Sequence, residues 1–397
     1  VPTTSASLTV VEANETRRAM TASLMDHVRH ELGLTLAAPL SPLTPTLVRL
    51  AAAHQVDGVL DISAATAHGE PGTDDLLRRQ LHAGALRSLK LRMRLRCVLE
   101  AFAREGLPVL TFKGAALAAQ TGRAPEGRAG SDVDVLIQPE HWVDAHRILL
   151  GLGHEMTECP EPGHDQRTRY VQWCYYEAPY RHRAGDVDLH WRVVMGHLPG
   201  MTAAALWRDR VEVDLAGEMI PTFHPDAALA HVALHGAKDR WIALRSAVDA
   251  HLLLEHGASW EGAQRRVPRG RALPECRAAV DFLRSGSALP HPAAVDAEHE
   301  RSWVVGIVER PGFEDDARPT GGSVRSLRNR IRITPNLMSV MSVIALAAVP
   351  PDSLTKPAVP ARWWWLGILT RFGRLLRRRA IIAGRRIGLP LAPPPSR

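Results

Sequence analysis

The 397-residue sequence predicts an α/β (α+β) protein in which a short run of strands is flanked on both sides by helical regions. Three observations predict it. Apolar residues recur at three- and four-residue intervals up to about Gly106; short apolar and alternating runs follow from Leu107 to Val193; helical periodicity returns from Pro225 to His256. The hydrophobic content of 45% is enough to build a core, so disorder is not the starting expectation. These shifts divide the chain into a helical N-terminal region over 1–105, a core over 106–200, a helical domain over 201–290, and a linker with a basic amphipathic C-terminal region over 291–397.

In the first region Leu47, Leu50 and Ala51, then Leu91, Leu95, Val98 and Phe102, mark one helical face. Leu107 to Phe112 is a short apolar run opened by Gly106 and followed by Lys113-Gly114 and an alanine-rich stretch, which reads as strand, turn, helix. Beyond a Gly- and Pro-containing loop, Asp132 to Ile137 alternates so that Asp132 and Asp134 share one face and Val133 and Val135 the other. Pro139 to Leu152 predicts an amphipathic helix. Tyr170 to Tyr176 and Asp186 to Val193 read as two strands joined by a turn around Ala184-Gly185, and the period of two aligns Asp186, Asp188 and His190. Ala228, Val232, Trp241, Leu244, Val248 and Leu252 then predict a second helical layer.

The formal charge of +7, from 49 Lys and Arg against 42 Asp and Glu, is mild for this length and is concentrated after Arg325. Residues 362–386, which combine Trp363 to Trp365 with a dense set of arginines, have the composition of a membrane-surface helix or an anionic-partner site; the plainer reading is a helix packed on the core with its arginines reaching water. No basic, aromatic-interleaved strand surface lies near the acidic residues, which argues against a nucleic-acid partner. Cys97, Cys159, Cys174 and Cys276 lack paired spacing and are read as reduced thiols. The N-terminus shows no signal-type apolar stretch, and the longest apolar run, Leu337 to Pro350, falls short of the roughly 20 residues a spanning helix needs. The expected location is cytoplasmic, with peripheral membrane contact through 362–386 as the alternative.

Two carboxylates on one strand and a third on a neighbour suit a hard divalent cation that also holds phosphate oxygens, and Asp132, Asp134 and Asp188 supply that set. An Asp-x-Asp alone is weak, because aspartates are common at strand ends and turns. The surrounding blocks are more specific: Leu110-Thr-Phe-Lys113-Gly114-Ala-Ala-Leu117, Arg128-Ala-Gly-Ser131-Asp132-Val-Asp134, Gly151-Leu-Gly153-His154, Asp186-Val-Asp188-Leu-His190-Trp191, and His235-Gly236-Ala237-Lys238 with Trp241, Leu244 and Asp249. In order and spacing they resemble the uncharacterised nucleotidyltransferase family of the DNA polymerase beta-like nucleotidyltransferase superfamily, over roughly Leu47 to Leu254.

The resemblance implies a polymerase beta-like core with a mixed sheet over 106–200, using Mg²⁺ or Mn²⁺ and a nucleoside triphosphate donor. It implies Asp132, Asp134 and Asp188 as catalytic metal ligands, the third also helping to deprotonate an acceptor hydroxyl. Lys113, Gly114, Arg128, Ser131 and His190 form the expected nucleotide-binding set: Gly114 lets backbone approach phosphate, while Lys113 and Arg128 neutralise it. The superfamily usually carries Gly-Ser or Gly-Gly at the first turn, where this chain has Lys113-Gly114-Ala115. The expected activity is transfer of a nucleoside monophosphate, AMP from ATP by default, to a small-molecule, peptide or protein hydroxyl with release of pyrophosphate. The competing reading is a non-catalytic nucleotide- or partner-binding module of the same fold.

Plainer readings stand beside several residues. Asp186 follows Gly185 and reads as closing a turn, and Trp191 reads as core. His231 and His235 have zinc-binding spacing, but Val232 stands where a zinc protease carries Glu, so they read as packing residues, with His235 and Lys238 as candidates to face the nucleotide.

Overall fold

The computed structural model describes residues 19–34, 40–60, 70–123, 128, 130–157, 159–194, 196–241, 243–285, 331–333 and 335–348. Residues 362–386, singled out for membrane or anionic-partner contact, lie outside the described residues.

Alternation along β2 (Asp132–Leu136) and β5 (Asp186–His190) sets the centre of the fold. With β1 (Leu110–Thr111), β3 (Glu155–Met156) and β4 (Glu177–Arg181) they form a five-stranded sheet in the order β1-β2-β5-β4-β3. β2 and β5 run parallel and the other pairs antiparallel, so the sheet is mixed as expected. A separate antiparallel pair joins β6 (Val211–Asp214) to β7 (Met219–Thr222).

One face of the large sheet is apolar because the valines and leucines between the acids all point that way. Val133, Val135, Val187 and Leu189 pack with Leu95, Val98 and Phe102 of a long helix over Thr73–Arg104 and with Trp142, Ala145 and Leu149 of a helix over Trp142–Gly151. In chain order the helices are α1 (residues 19–31), α2 (Pro45–Ala53), α3 (Thr73–Arg104), α4 (Gly114–Gln120), α5 (Trp142–Gly151), α6 (Gln166–Cys174), α7 (Ala203–Arg208), α8 (Pro225–Asp239), α9 (Arg245–Glu255), α10 (Trp260–Arg266), α11 (Ala272–Ser285) and α12 (Leu337–Ala348).

The opposite face meets a helical layer. Phe112 and Leu136 join a second apolar cluster with residues of α1, α2, α8, α9 and α11. α8 is its axis, buried on nearly every side, and its alanines let neighbouring helices approach closely. Gly236 is required there: a Cβ at this position would lie 2.8 Å from the Trp241 ring. Phe112 stacks on Phe223 at 4.8 Å and meets the His231 ring edge-on at 5.1 Å, which ties the first strand-turn to α8.

Residues 166–174 correct the sequence reading. Tyr170 to Tyr176 is expected as a strand, yet α6 takes most of it and the strand begins at Glu177. Aromatic and β-branched content suggests strand, but Thr168, Val171 and Cys174 are the buried positions, a spacing of three, and the Asp165 side chain caps the helix by accepting from Thr168 N at 2.8 Å. The apolar run from Leu337 forms α12, and no described helix is long and apolar enough to cross a membrane. All four cysteines are free thiols, as expected.

Candidate active site

The parallel register of β2 and β5 places Asp134 opposite Asp188 and Asp132 opposite Asp186. Asp132, Asp134 and Asp188 therefore share the sheet face that looks toward the helical layer. Asp134 is 5% exposed, and its Oδ1 accepts from Lys113 Nζ at 2.6 Å and from His190 Nε2 at 2.9 Å. Burial alone pushes the Asp134 carboxyl pKa up; the Lys113 ammonium and the His190 hydrogen bond outweigh it and hold the group well below the usual carboxylate range. Asp188 has no such pair of donors. Its Oδ1 is buried without a hydrogen-bond partner among the described residues, and burial, reinforced by Glu177, Asp134 and Asp132, pushes its pKa up to about 7. Burial and the Asp134 charge also raise Asp132, whose Oδ2 accepts from Ser131 Oγ at 3.1 Å.

Lys113 enters the site from a strained backbone. Its φ of +59° and ψ of −156° lie in a region nearly reserved for glycine, at a cost of about 1–3 kcal/mol, and Gly114 follows with φ +35°. The first turn of α4 starts here, so Lys113 is held at the end of β1 with its ammonium on Asp134. Burial pulls the lysine pKa down, but Asp134 attached to it carries the balance upward, so the ammonium is charged.

Among the described residues, one group of three His, Cys, Asp or Glu side chains brings a ligand atom from each within 4.8 Å of the others: Asp134, Asp188 and His190. Asp132 stands outside it. The orphaned Asp188 oxygen beside Asp134 fits a hard divalent cation, which these carboxylates could hold. His190 is 1% exposed; its Nδ1 lies 3.4 Å from Glu177 Oε2 while Nε2 is on Asp134. The ring expected to face the nucleotide thus sits between two carboxylates beneath the site. Glu177 is absent from the sequence reading, because its neighbourhood is set by the β4–β5 register rather than by local pattern.

Arg128 also lies elsewhere than expected. Its Nε and Nη2 form a two-pronged ion pair with Asp249 of α9 at 3.0 and 2.8 Å, and its Nη1 donates to Gly114 O at 3.1 Å. The guanidinium is committed to the protein's own groups, and it ties the Lys113-Gly114 turn to the helical layer. Asp186 accepts from Arg181 Nη1 and His182 N across the β4–β5 hairpin, the turn-closing role read from Gly185. Trp191 is core, 4.3 Å from the Trp142 ring. His231 is 4% exposed against Phe112, and His235 Nδ1 pairs with Asp239 at 3.2 Å.

No curated protein shows significant sequence similarity to the chain. A solved structure of the antibiotic-resistance factor ANT(2'')-Ia aligns at 14% identity with a TM-score of 0.32, covering 48% of this chain and 92% of that one. Residues 44–284 match the family model described as uncharacterised nucleotidyltransferase. That match spans more than half of the 397 residues and includes every element that builds the acidic site; the chain belongs to this nucleotidyltransferase family and is a transferase.

Proposed function

We propose that the protein transfers a nucleoside monophosphate, AMP from ATP by default, to a hydroxyl acceptor, with Mg²⁺ or Mn²⁺ and with release of pyrophosphate. The observation that carries this reading is the buried, partnerless Asp188 oxygen across the parallel strand pair from Asp134, beside the Lys113-Gly114 turn. Asp134 and Asp188 would hold the divalent ion, with Asp132 as a further carboxylate at the rim. Such an ion, when bound, neutralises charge on the triphosphate oxygens and aligns the reacting groups.

The chain's own residues supply the remainder. Asp188, across the strand pair from Asp134, is the carboxylate placed to take the acceptor hydroxyl proton. The acceptor oxygen then bonds to the α-phosphorus while the bond from that phosphorus to the β-phosphate bridging oxygen breaks, and pyrophosphate leaves with the bonding pair. Lys113 offers a positive charge to a phosphate, and Gly114 leaves room for backbone to approach it. Arg128 supports that turn through Gly114 O. Ser131 keeps Asp132 oriented by its hydroxyl.

The test is transfer of label from α-labelled ATP, GTP, CTP and UTP with Mg²⁺ or Mn²⁺ to acceptors in a cell extract and a small-molecule panel. Label on an acceptor with the wild type and none with Asp134→Asn is expected. Metal-dependent nucleotide binding with no transfer to any acceptor returns the chain to the non-catalytic module.

A further inference from the structure

Between Asp75 and Glu100 the long helix α3 carries six arginines and one lysine and no aspartate or glutamate. A helix face turned only toward water is stabilised by opposite charges three and four residues apart, and like charges at that spacing repel. Part of the run is accounted for within the protein: Arg94 donates to Leu152 O at 3.2 Å, and Arg96 pairs with Glu100 at 2.8 Å. Arg78, Arg79, Arg87 and Lys90 are exposed, and their side chains make no hydrogen bond or ion pair among the described residues. Between these cations the helix also exposes apolar side chains. Leu86 and Leu89 are each 48% exposed and Met93 is 63% exposed, while Leu77, Leu95, Val98 and Phe102 on the other side are buried. Spacings of three and four put Leu86, Leu89 and Met93 next to one another on one stripe. Single exposed leucines are ordinary, but a contiguous apolar stripe bordered by unpaired cations marks a surface that meets a partner.

We propose that this outer face of α3 docks on an anionic lipid surface, with the three apolar side chains entering the acyl boundary and the four cations lying among the lipid phosphates. Charge complementarity calls for a polyanion, and the apolar stripe selects among polyanions. Sites for single-stranded nucleic acid interleave cations with aromatic rings on which bases stack, and residues 76–99 contain no Phe, Tyr or Trp. An acidic helical peptide docks in a groove, whereas the outer side of one helix is convex. A lipid interface accepts a convex apolar stripe, and long basic side chains reach its phosphates while their stems lie along that stripe. Three apolar side chains alone give marginal attachment. Residues 362–386, with three tryptophans, eight arginines and no acid, have the composition of a second contact.

Cys97 lies four residues beyond Met93, and it is the exposed one of the four cysteines. An environment-sensitive nitrobenzoxadiazole label placed there in the full, otherwise unsubstituted chain therefore reads this face directly. Vesicles of phosphatidylcholine and phosphatidylglycerol in equal parts are expected to shift its emission to the blue and to raise it, and vesicles of phosphatidylcholine alone to leave it unchanged. In the labelled chain, Arg87→Ala with Lys90→Ala is expected to weaken vesicle binding about 30-fold, and Leu89→Ser with Met93→Ser to remove the blue shift, with the melting midpoint of each variant establishing folding. A chain that sediments with anionic vesicles while the Cys97 label does not respond is attached through another segment, which overturns the α3 face. No binding to the vesicles, an equal response to neutral ones, or a response to duplex DNA or polyglutamate and none to vesicles also overturns the proposal.

Discussion

Two groups of buried charge meet at the Lys113-Gly114 turn, and they are built on opposite principles. On the helical side, Arg128 and Asp249 match one cation to one anion, with Arg128 7% and Asp249 3% exposed and every Arg128 nitrogen donating to Asp249 or Gly114 O. On the sheet side, Asp132, Asp134, Asp188 and Glu177 crowd around Lys113 and His190, and an Asp188 oxygen is left over. Matched charges of the first kind lock elements together; the excess of the second kind costs stability and is retained where a cation or phosphate is to be met. The comparison teaches that burial of charge alone does not mark a site. Imbalance does.

The largest expected effect is on the matched side. Asp249→Ala leaves the Arg128 guanidinium buried without its partner and is expected to lower unfolding free energy by about 3–5 kcal/mol, read by urea denaturation. A loss under about 1 kcal/mol would place this pair with ordinary surface bridges. On the unmatched side, Asp188→Asn is expected to reduce nucleotidyl transfer at least ~10³-fold, about 4 kcal/mol in barrier, while the unfolding midpoint holds. Equal losses of activity and stability would erase the distinction.

Acid should also fall on the matched side first. His54 caps α2, and its carbonyl accepts from Arg245 N at the start of α9; burial lowers the ring pKa from 6.5 to about 4. The unfolded chain therefore takes up this proton before the folded one does. The stabilisation is complete above pH 6.5 and is lost as pH falls toward 4, by up to about 3 kcal/mol. His54→Gln should flatten that part of the pH–stability profile. Smaller still, Gly236→Ala drives a methyl against the Trp241 ring and is expected to cost about 1–3 kcal/mol with transfer activity per folded molecule unchanged.

The unmatched side was the more legible of the two. Asp-x-Asp alternation is a local signal, so Asp132 and Asp134 could be put on one face from spacing alone, while Asp188 joined them through the family resemblance and the β2–β5 register. The same alternation aligned His190 with Asp188, but it carries no information on depth, and the Phe112 and Tyr176 rings that enclose the imidazole come from other segments. Glu177 was hidden because an aromatic-rich helix resembled the strand that starts just after it. The Arg128–Asp249 pair spans 121 residues, and nothing local to either residue names the other. A basic loop residue near an acidic motif reads as a phosphate contact; only the fold shows that its charge is already spent on α9. The family blocks fixed the mixed sheet and the helical layer around it, while the strand boundaries shifted where capping by Asp165 overrode aromatic propensity.

The most direct test is thermal unfolding of wild type and Asp188→Asn at pH 8, each with and without Mn²⁺. Removal of a crowded, desolvated carboxylate predicts that Asp188→Asn melts at or above the wild type in the absence of metal. Mn²⁺ should raise the wild-type midpoint and leave the variant nearly unmoved, because a ligand stabilises only the state that binds it. If Asp188→Asn instead melts well below wild type and both respond equally to Mn²⁺, the acidic face is structural and the account of it as a metal-dependent transfer site is contradicted.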